Sequence, residues 1–546
     1  MNKIWLTTIA IGIGLFMVAP GCGSSNNSSG FSQGGGSGSG SSSDGSISLL
    51  GYEGGIVGGG FSDGSSGGTG QCVNLQCQQH TCGDGGSTTI TGTVYDPAGK
   101  NPLYDVVVFV PNTTPAPITG GIPASGSANS CSCEAVYTGQ PIASALTGAD
   151  GKFTLTNAPD GTDIPLVVQI GKWRTQLKIP KVTECGSNDL DTLLAPYKLA
   201  LPGQAGVSTT AGPTQGLQQD LPSIAVSTGG ADSLECLLLR AGVSPNEYVG
   251  GGTSGPGHVH IYPGCDGQSC GVTQNVGPAP NTSPAGLASD QKLWDSPADI
   301  DAYDIVLLSC EGTGTTNPNS QILYDYVDSG GRVFAEHWHL TWFTTLLGTA
   351  VAPFPADLAT WDVLNDGAYK SGAISATIVE ALSSNGQPFP KGEALYQWLA
   401  NVGALTSDAG TGELPIAVAR GDATIQAGNT LSQAWIQTDP SVSPASTQYF
   451  SFDMPFTPTI DDAGLPNYCG RVVFSDLHIG AAANDYGGAT ASASGHTNAL
   501  TTPSGCTTGD LSPDEKALEF MLFDLSSCVT PVTVAPTPPT PTPPIK

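Results

Sequence analysis

The segment Tyr303-Asp304-Ile305-Val306-Leu307-Leu308-Ser309 constrains the fold most, because its apolar centre does not alternate. A strand with one wet face reads apolar, polar, apolar, whereas an unbroken run has to be covered on both faces. Helices on either side of a mostly parallel sheet supply that cover. The neighbouring sequence agrees. Ile224-Ala225-Val226-Ser227-Thr228 is a short apolar strand, and Leu234, Leu237, Leu238 and Ala241 then share one face of a helix that Gly242 stops. His258-Val259-His260-Ile261-Tyr262 is a second strand and the Ile305 run a third. Ile322, Leu323, Tyr326 and Val327 line a helix ended by Gly330-Gly331, and Arg332-Val333-Phe334-Ala335 is a fourth strand. This rhythm predicts an open, doubly wound sheet with right-handed crossovers. Ile416–Ala419, Gln448–Phe452 and Arg471–Ser475 extend it. A closing helix follows, with Ser512 as N-cap, Pro513 at its first position and Glu515 completing a capping box. Its stripe of Leu518, Met521, Leu522 and Leu525 is predicted to pack on the sheet.

Residues 87 to 185 have a different period. Thr89–Tyr95 alternates, Asp96-Pro97-Ala98-Gly99 is a turn, and Val106–Val110 is an apolar run of strand length. Ala149-Asp150-Gly151-Lys152 turns into Phe153-Thr154-Leu155, and Ile164–Ile170 leads into Trp173–Ile179. Strands at this spacing without a helical period argue for a small β-sandwich.

The ends carry no core. Lys3, an apolar stretch from Ile4 to Val18 and small residues before Cys22 describe a secretory signal that is too short to be a membrane span. Residues 23 to 71 are a Gly/Ser-rich tether. The Pro/Thr-rich stretch 529 to 546 reads as an inert spacer. The boundaries that follow are a signal over 1–22, the tether, a Cys-stapled sandwich over 72–190, a linker over 191–220, an α/β domain over 221–528 and the tail.

Fourteen cysteines fit an oxidising compartment. Cys72, Cys77, Cys82, Cys131, Cys133 and Cys185 fall in the first half; Cys265, Cys270, Cys469, Cys506 and Cys528 are disulfide candidates in the second, beside Cys236 and Cys310. If pairing stays within each half, the odd thiol belongs to the second. With 17 Lys plus Arg against 46 Asp plus Glu, the net charge of −29 excludes a phosphate-binding surface and hence nucleic acid.

Three resemblances add to this. The stretch ending in Cys22 resembles a bacterial lipoprotein signal, which implies that Cys22 is lipidated and anchors the chain in the cell envelope. Gly23 after it is similar to outer-membrane sorting in enterobacterial lipoproteins. The order Thr-Gly-Thr-Val-Tyr-Asp-Pro-Ala-Gly, Val-Val-Val-Phe-Val-Pro and Thr-Gly-Ala-Asp-Gly-Lys-Phe-Thr-Leu resembles the carboxypeptidase regulatory-like, transthyretin-like sandwich, which implies an accessory role. Asp-Ile-Val-Leu-Leu-Ser-Cys-Glu-Gly, Gly-Gly-Arg-Val-Phe-Ala-Glu-His-Trp-His and Gly-Arg-Val-Val-Phe-Ser-Asp-Leu-His resemble the class I glutamine-amidotransferase-like fold and its ThuA-like branch. The arrangement as a whole is similar to myxobacterial-type lipoproteins. The fold class expected is therefore α+β and multidomain: a small β-sandwich followed by an open, doubly wound, flavodoxin-like α/β domain.

Ligands of such sheets bind beyond the carboxyl ends of the strands. Those ends hold Thr228 and Asp232, Cys310 and Glu311, Glu336, His337, Trp338 and His339, and Asp476 and His478. The amidotransferase chemistry needs a Cys on the strand-to-helix elbow. Here that elbow holds Glu336-His337-Trp338-His339, and Cys310 sits one strand earlier, so the triad does not carry over. Imidazoles from His337, His339 and His478 suit Zn²⁺ or a related divalent metal instead, although neither His337-x-His339 nor Asp476-x-His478 is a named zinc motif. Near the tether, Cys72, Cys77 and Cys82 with His80 read as disulfides rather than zinc ligands.

Two functions remain. One is a lipid-anchored envelope binding or structural protein, needing no cofactor, whose cleft (Thr228, Asp232, Glu311, Trp338, Asp476, His478) takes a carbohydrate or peptide. The other is a metal-assisted hydrolase of envelope carbohydrate or peptide working through Glu336, His337, His339 and Cys310. The sequence leaves the oligomeric state open.

Overall fold

Alternation makes the first half a sandwich. In the computed structural model the described residues are 72–123, 131, 136–229, 232–252, 255–264, 287–312, 314, 319–345, 353–363, 374–406, 412–462, 464–478 and 510–542. Cys22 with the signal and tether, and Cys133, Cys265, Cys270 and Cys506, lie outside them. One sheet joins β1 (Thr89–Tyr95) to β4 (Lys152–Leu155), β7 (Ser187–Asp189) and β8 (Leu199–Ala200). The other runs β3-β2-β5-β6, with β2 at Val107–Pro111, β3 at Pro141–Leu146, β5 at Gly161–Ile170 and β6 at Trp173–Val182. The stretch expected to link the halves is instead packed on the sandwich: β8 lies beside β1, and Asp220 bridges to Arg174 in β6.

The second half is one ten-stranded sheet. In chain order its strands are β9 (Ile224–Thr228), β10 (Tyr248–Gly250), β11 (Val259–Pro263), β12 (Ile305–Leu308) and β13 (Arg332–Glu336). They continue with β14 (Ile374–Ile378), β15 (Leu414–Ile416), β16 (Ser432–Thr438), β17 (Thr447–Met454) and β18 (Gly470–Ser475). The spatial order is β10-β11-β9-β12-β13-β18-β17-β16-β14-β15. From β10 to β18 all neighbours are parallel; from β18 onward they are antiparallel. Every residue of β12 is buried, as its unbroken apolar run requires.

The expected strand at 416–419 is displaced. β15 ends at Ile416, the Ala417 amide donates to Asp514, and the chain changes partner, so that Ala419 bridges Leu477 just beyond β18. That shift matters for the site.

Helices α1 (Leu234–Arg240), α2 (Ser320–Asp328) and α3 (Pro390–Asn401) flank the sheet, and α4 (Pro513–Ser526) begins with the expected capping box of Ser512 and Glu515. The apolar stripe of α4 is buried, and so is most of its opposite face, because the helix lies between the sandwich and the sheet. Phe520 stacks on Tyr104 at 5.6 Å and packs on Trp398 at the same distance, while Phe523 meets Trp173 edge-on at 5.7 Å. Sandwich and sheet thus share one core within a single compact unit that starts at residue 68. Two buried carboxylates of α4 have cationic partners: Asp524 takes Lys391 at 2.5 Å and Arg471 at 2.7 Å, and Glu515 takes Arg240.

Disulfides join Cys72 to Cys77, Cys82 to Cys185 and Cys131 to Cys469, and Cys236 and Cys528 are also disulfide-bonded. The Cys131–Cys469 bond crosses between the halves, so the condition that pairing stays within each half does not hold: Cys131, in the chain between β2 and β3, meets Cys469 just before β18. Among the described residues Cys310 is the free thiol, and it is buried. The tail is no inert spacer: Val529 is buried, the Ser144 hydroxyl donates to the Pro539 carbonyl, and the Thr542 amide donates to Pro141 on the edge strand β3. Among the described residues no helix is long and apolar enough to cross a membrane.

Candidate functional site

Parallel neighbours end together, so β9, β12, β13 and β18 deliver their following residues to one place. Register aligns Leu308 with Ala335 and Glu336 with Ser475. Beyond those ends Cys310, His337 and His478 meet. Cys310 Sγ lies 3.3 Å from His337 Nδ1, and His478 Nε2 lies 3.2 Å from the same nitrogen. Sγ, Nδ1 and Nε2 all fall within 4.8 Å of one another.

Local backbone explains the convergence. His337 has φ of +41°, a left-handed conformation that a residue with a Cβ adopts at a cost, immediately after β13. The turn swings its imidazole back over the end of β12. Gly229 permits the close approach of the first strand's loop, since a Cβ there would sit 2.1 Å from the Cys310 carbonyl.

The remaining contacts set protonation. Asp422 Oδ2 lies 2.9 Å from His337 Nε2, within ion-pair distance although off the axis of the N–H bond. Asp422 itself is held by Asp476, whose Oδ2 accepts from the Asp422 amide at 2.7 Å and the Ala423 amide at 3.2 Å. Burial, and then the Asp422 charge, push Asp476 up to about 7. His478 is driven well below its usual range by burial, Arg420 and His337 together, so it is neutral. Arg420 Nη2 lies 3.5 Å from His478 Nδ1. The Glu336 carboxyl accepts from the Cys310 amide at 3.0 Å, and burial followed by its hydrogen-bonded neighbour Asp232 raises it well above the carboxylate range.

The sequence placed Cys310, Glu336, His337, Asp476, His478 and Asp232 at these strand ends, and they form one contiguous cluster. His339 stands apart from its expected role beside His337 and His478: its Nδ1 faces the Glu336 carbonyl at 3.2 Å and its Nε2 faces Glu311 at 3.9 Å. Burial takes it down to about 4. Thr228 is buried at the end of β9, and Trp338 is partly exposed with its ring 5.2 Å from that of His337. Sequence reasoning missed Asp422 and Arg420. The signal was Arg420-Gly421-Asp422, a charged pair after an apolar run in a chain with only 17 basic residues besides His. His80 lies on the sandwich surface 2.7 Å from Asp160, and the cysteines around it are disulfide-bonded.

The three convergent donors suit a transition metal. In a tetrahedron, bonds of about 2.0–2.3 Å to nitrogen and sulfur put neighbouring ligands roughly 3.3–3.6 Å apart, close to the 3.3 and 3.2 Å found here. Imidazole and thiolate together favour zinc-like ions over magnesium or calcium. No protein-family model matches the chain, and none of the curated proteins matches it.

Proposed function

We propose that this protein is a hydrolase built around a transition-metal centre held by Cys310 Sγ, His337 Nδ1 and His478 Nε2. The convergence of these three donors carries the reading: two of the three separations, 3.3 and 3.2 Å, are close to a tetrahedral edge, and all three atoms lie within 4.8 Å of one another. Bound there, a zinc-type ion supplies Lewis acidity toward a scissile carbonyl and toward water. The chain's own residues do the rest. The Asp422 carboxylate, 2.9 Å from His337 Nε2, favours the proton on that nitrogen and so leaves the Nδ1 lone pair for the cluster, as carboxylates beside metal-ligating imidazoles do. Glu336, kept protonated by burial and Asp232, stores a proton beside Cys310. Trp338 offers a partly exposed apolar face to a substrate.

One observation favours a second reading. Arginine can only donate, so its contact with His478 Nδ1 leaves the His478 proton on Nε2. Asp422, His337 and Cys310 then read as a carboxylate-oriented base beside a thiol nucleophile, with the strained elbow carrying the base and the adjacent strand carrying the thiol.

Elemental analysis of the chain purified from an oxidising compartment separates the two. About one equivalent of zinc or a related metal, lost in Cys310→Ser and His478→Ala, is expected. Absence of metal together with turnover abolished by Cys310→Ser would give the thiol mechanism. Absence of both metal and turnover would leave the binding or structural role.

The finer fold readings belong here too. The order β11-β9-β12-β13-β18 supports a flavodoxin-like, amidotransferase-like domain. The two packed sheets of the first half support the transthyretin-like sandwich. A cell-envelope location, through lipidated Cys22 and with envelope carbohydrate or peptide as ligand, rests on the first 22 residues and agrees with the disulfides. Cys22→Ser is expected to release the protein from the membrane fraction.

A further inference from the structure

A cavity of about 400 Å³ lies at the seam where the turn between β5 and β6, the start of β13 and the segment after α4 meet. This is the size of a small-molecule site, about 300–1,000 Å³. Its charge is unusual for this chain. In a protein of net charge −29, the charged residues lining the cavity are Lys172, Arg332 and Asp304, which leaves a net +1.

That excess sits on Arg332. Lys172 Nζ gives its three hydrogens to the Thr119 and Gly121 carbonyls and to Asp304, 2.5 Å away, so Lys172 and Asp304 neutralise each other. Among the described residues no carboxylate comes within ion-pair distance of Arg332. Its acceptors are backbone carbonyls: Leu525 from Nε at 3.0 Å, Gly330 and Cys469 from Nη1 at 2.8 and 2.5 Å, and Ser527 from Nη2 at 3.4 Å. The nearest carboxylates are taken, Asp453 by Arg471 at 2.6 Å and Asp304 by Lys172. Burial, aided by the Arg471 charge and only partly opposed by Tyr326, Asp453 and Asp304, brings the Arg332 guanidinium down to about 10. Among the described residues Nη2 makes one contact, at 3.4 Å, and its second hydrogen has no acceptor there.

We propose that the cavity binds an organic carboxylate, its charged end on Arg332 Nη2 and its apolar body against Ile118, Ile122 and Val136. A single guanidinium edge among apolar walls matches a monoanion; a phosphate dianion calls for more donors than the lining offers. This site is separate from the thiol–imidazole cluster and does not depend on its chemistry.

Phenylacetate and hexanoate, with phenylacetamide and hexanamide as neutral counterparts, test it by calorimetric titration of the intact, disulfide-bonded chain. Saturable binding of at least one acid is expected, with its amide at least tenfold weaker. Arg332→Gln is expected to weaken the acid by roughly ten- to a hundredfold, the worth of a charged hydrogen bond. Because Arg332 also ties backbone carbonyls, Ile118→Trp provides a second variant that fills the cavity without touching the guanidinium, and it is expected to abolish binding with unchanged circular dichroism. Failure of both acids to bind, equal binding of acid and amide, or undiminished binding in Ile118→Trp would overturn the proposal.

Discussion

Asp422 is the residue on which the proposed site turns, because its carboxylate lies 2.9 Å from His337 Nε2, on the side of the ring away from Cys310 and His478. Replacing it with Asn keeps the shape and removes the charge. Under the metal reading, Asp422→Asn should lower affinity about 10–100-fold without unfolding the protein, which competition against a chelator would measure. At the same scale, Asp105 reports on folding. Burial, opposed in part by Lys391, raises its pKa to about 7. The folded protein therefore holds a proton that the unfolded chain releases near pH 4, and this contribution to stability falls as pH rises from about 4 to 7. Asp105 has φ of +61°, which Asn tolerates. Asp105→Asn should shrink the loss of stability between pH 4.5 and 7.5 by on the order of 1–3 kcal/mol. Denaturant melts at the two pH values would show it, and an unchanged slope would exclude the linkage.

Among elements, α4 has the most to hold together. Ser512→Ala removes one half of its capping box and should cost about 1 kcal/mol. Asp524→Ala removes the close partner of buried Lys391, leaving it Asp105 at 3.9 Å, and leaves Arg471 with Asp453 alone, so it should cost roughly 3–5 kcal/mol; chemical denaturation would separate the two sizes of effect. The start of this helix could be read from Ser512, Pro513 and Glu515 because capping is local chemistry. Strands β1, β5, β6, β9, β12 and β13 were legible for the same reason, their burial being written in alternation or its absence. Elements set by distant partners were not. In β16, Ser432 and Gln433 are buried, and Gln433 is satisfied by the Ser384 amide and the Ala434 carbonyl, so a polar beginning hides an interior strand. Asp422 reaches His337 only because Ala419 bridges Leu477, a contact between segments far apart in the chain. Cys310 and the His residues were visible as strand-end chemistry, whereas the turning away of His339 follows from the short helical turn over His337–Trp342.

For the whole molecule, the Pro/Thr-rich tail acts on an edge. β3 has a neighbour on one side only, and such edges pair with other chains when left open. The tail's contacts at Pro141 and Ser144 cover part of it. Removing residues 536–546 should leave the fold intact and give concentration-dependent association; sedimentation velocity that stays monomeric across concentration would show that the tail guards nothing.

The position of α4 between the two sheet systems also has a consequence in time. A ribosome releases the sandwich strands well before this helix, yet among the described residues Tyr104 and Trp173 find their aromatic partners on that helix. The early strands therefore emerge with part of their final contact surface uncovered, and completion of the sandwich waits until α4 has been made. A ribosome-stalled chain lacking residues 510–546 should remain protease-sensitive in its first half, although every strand of the sandwich has already been made.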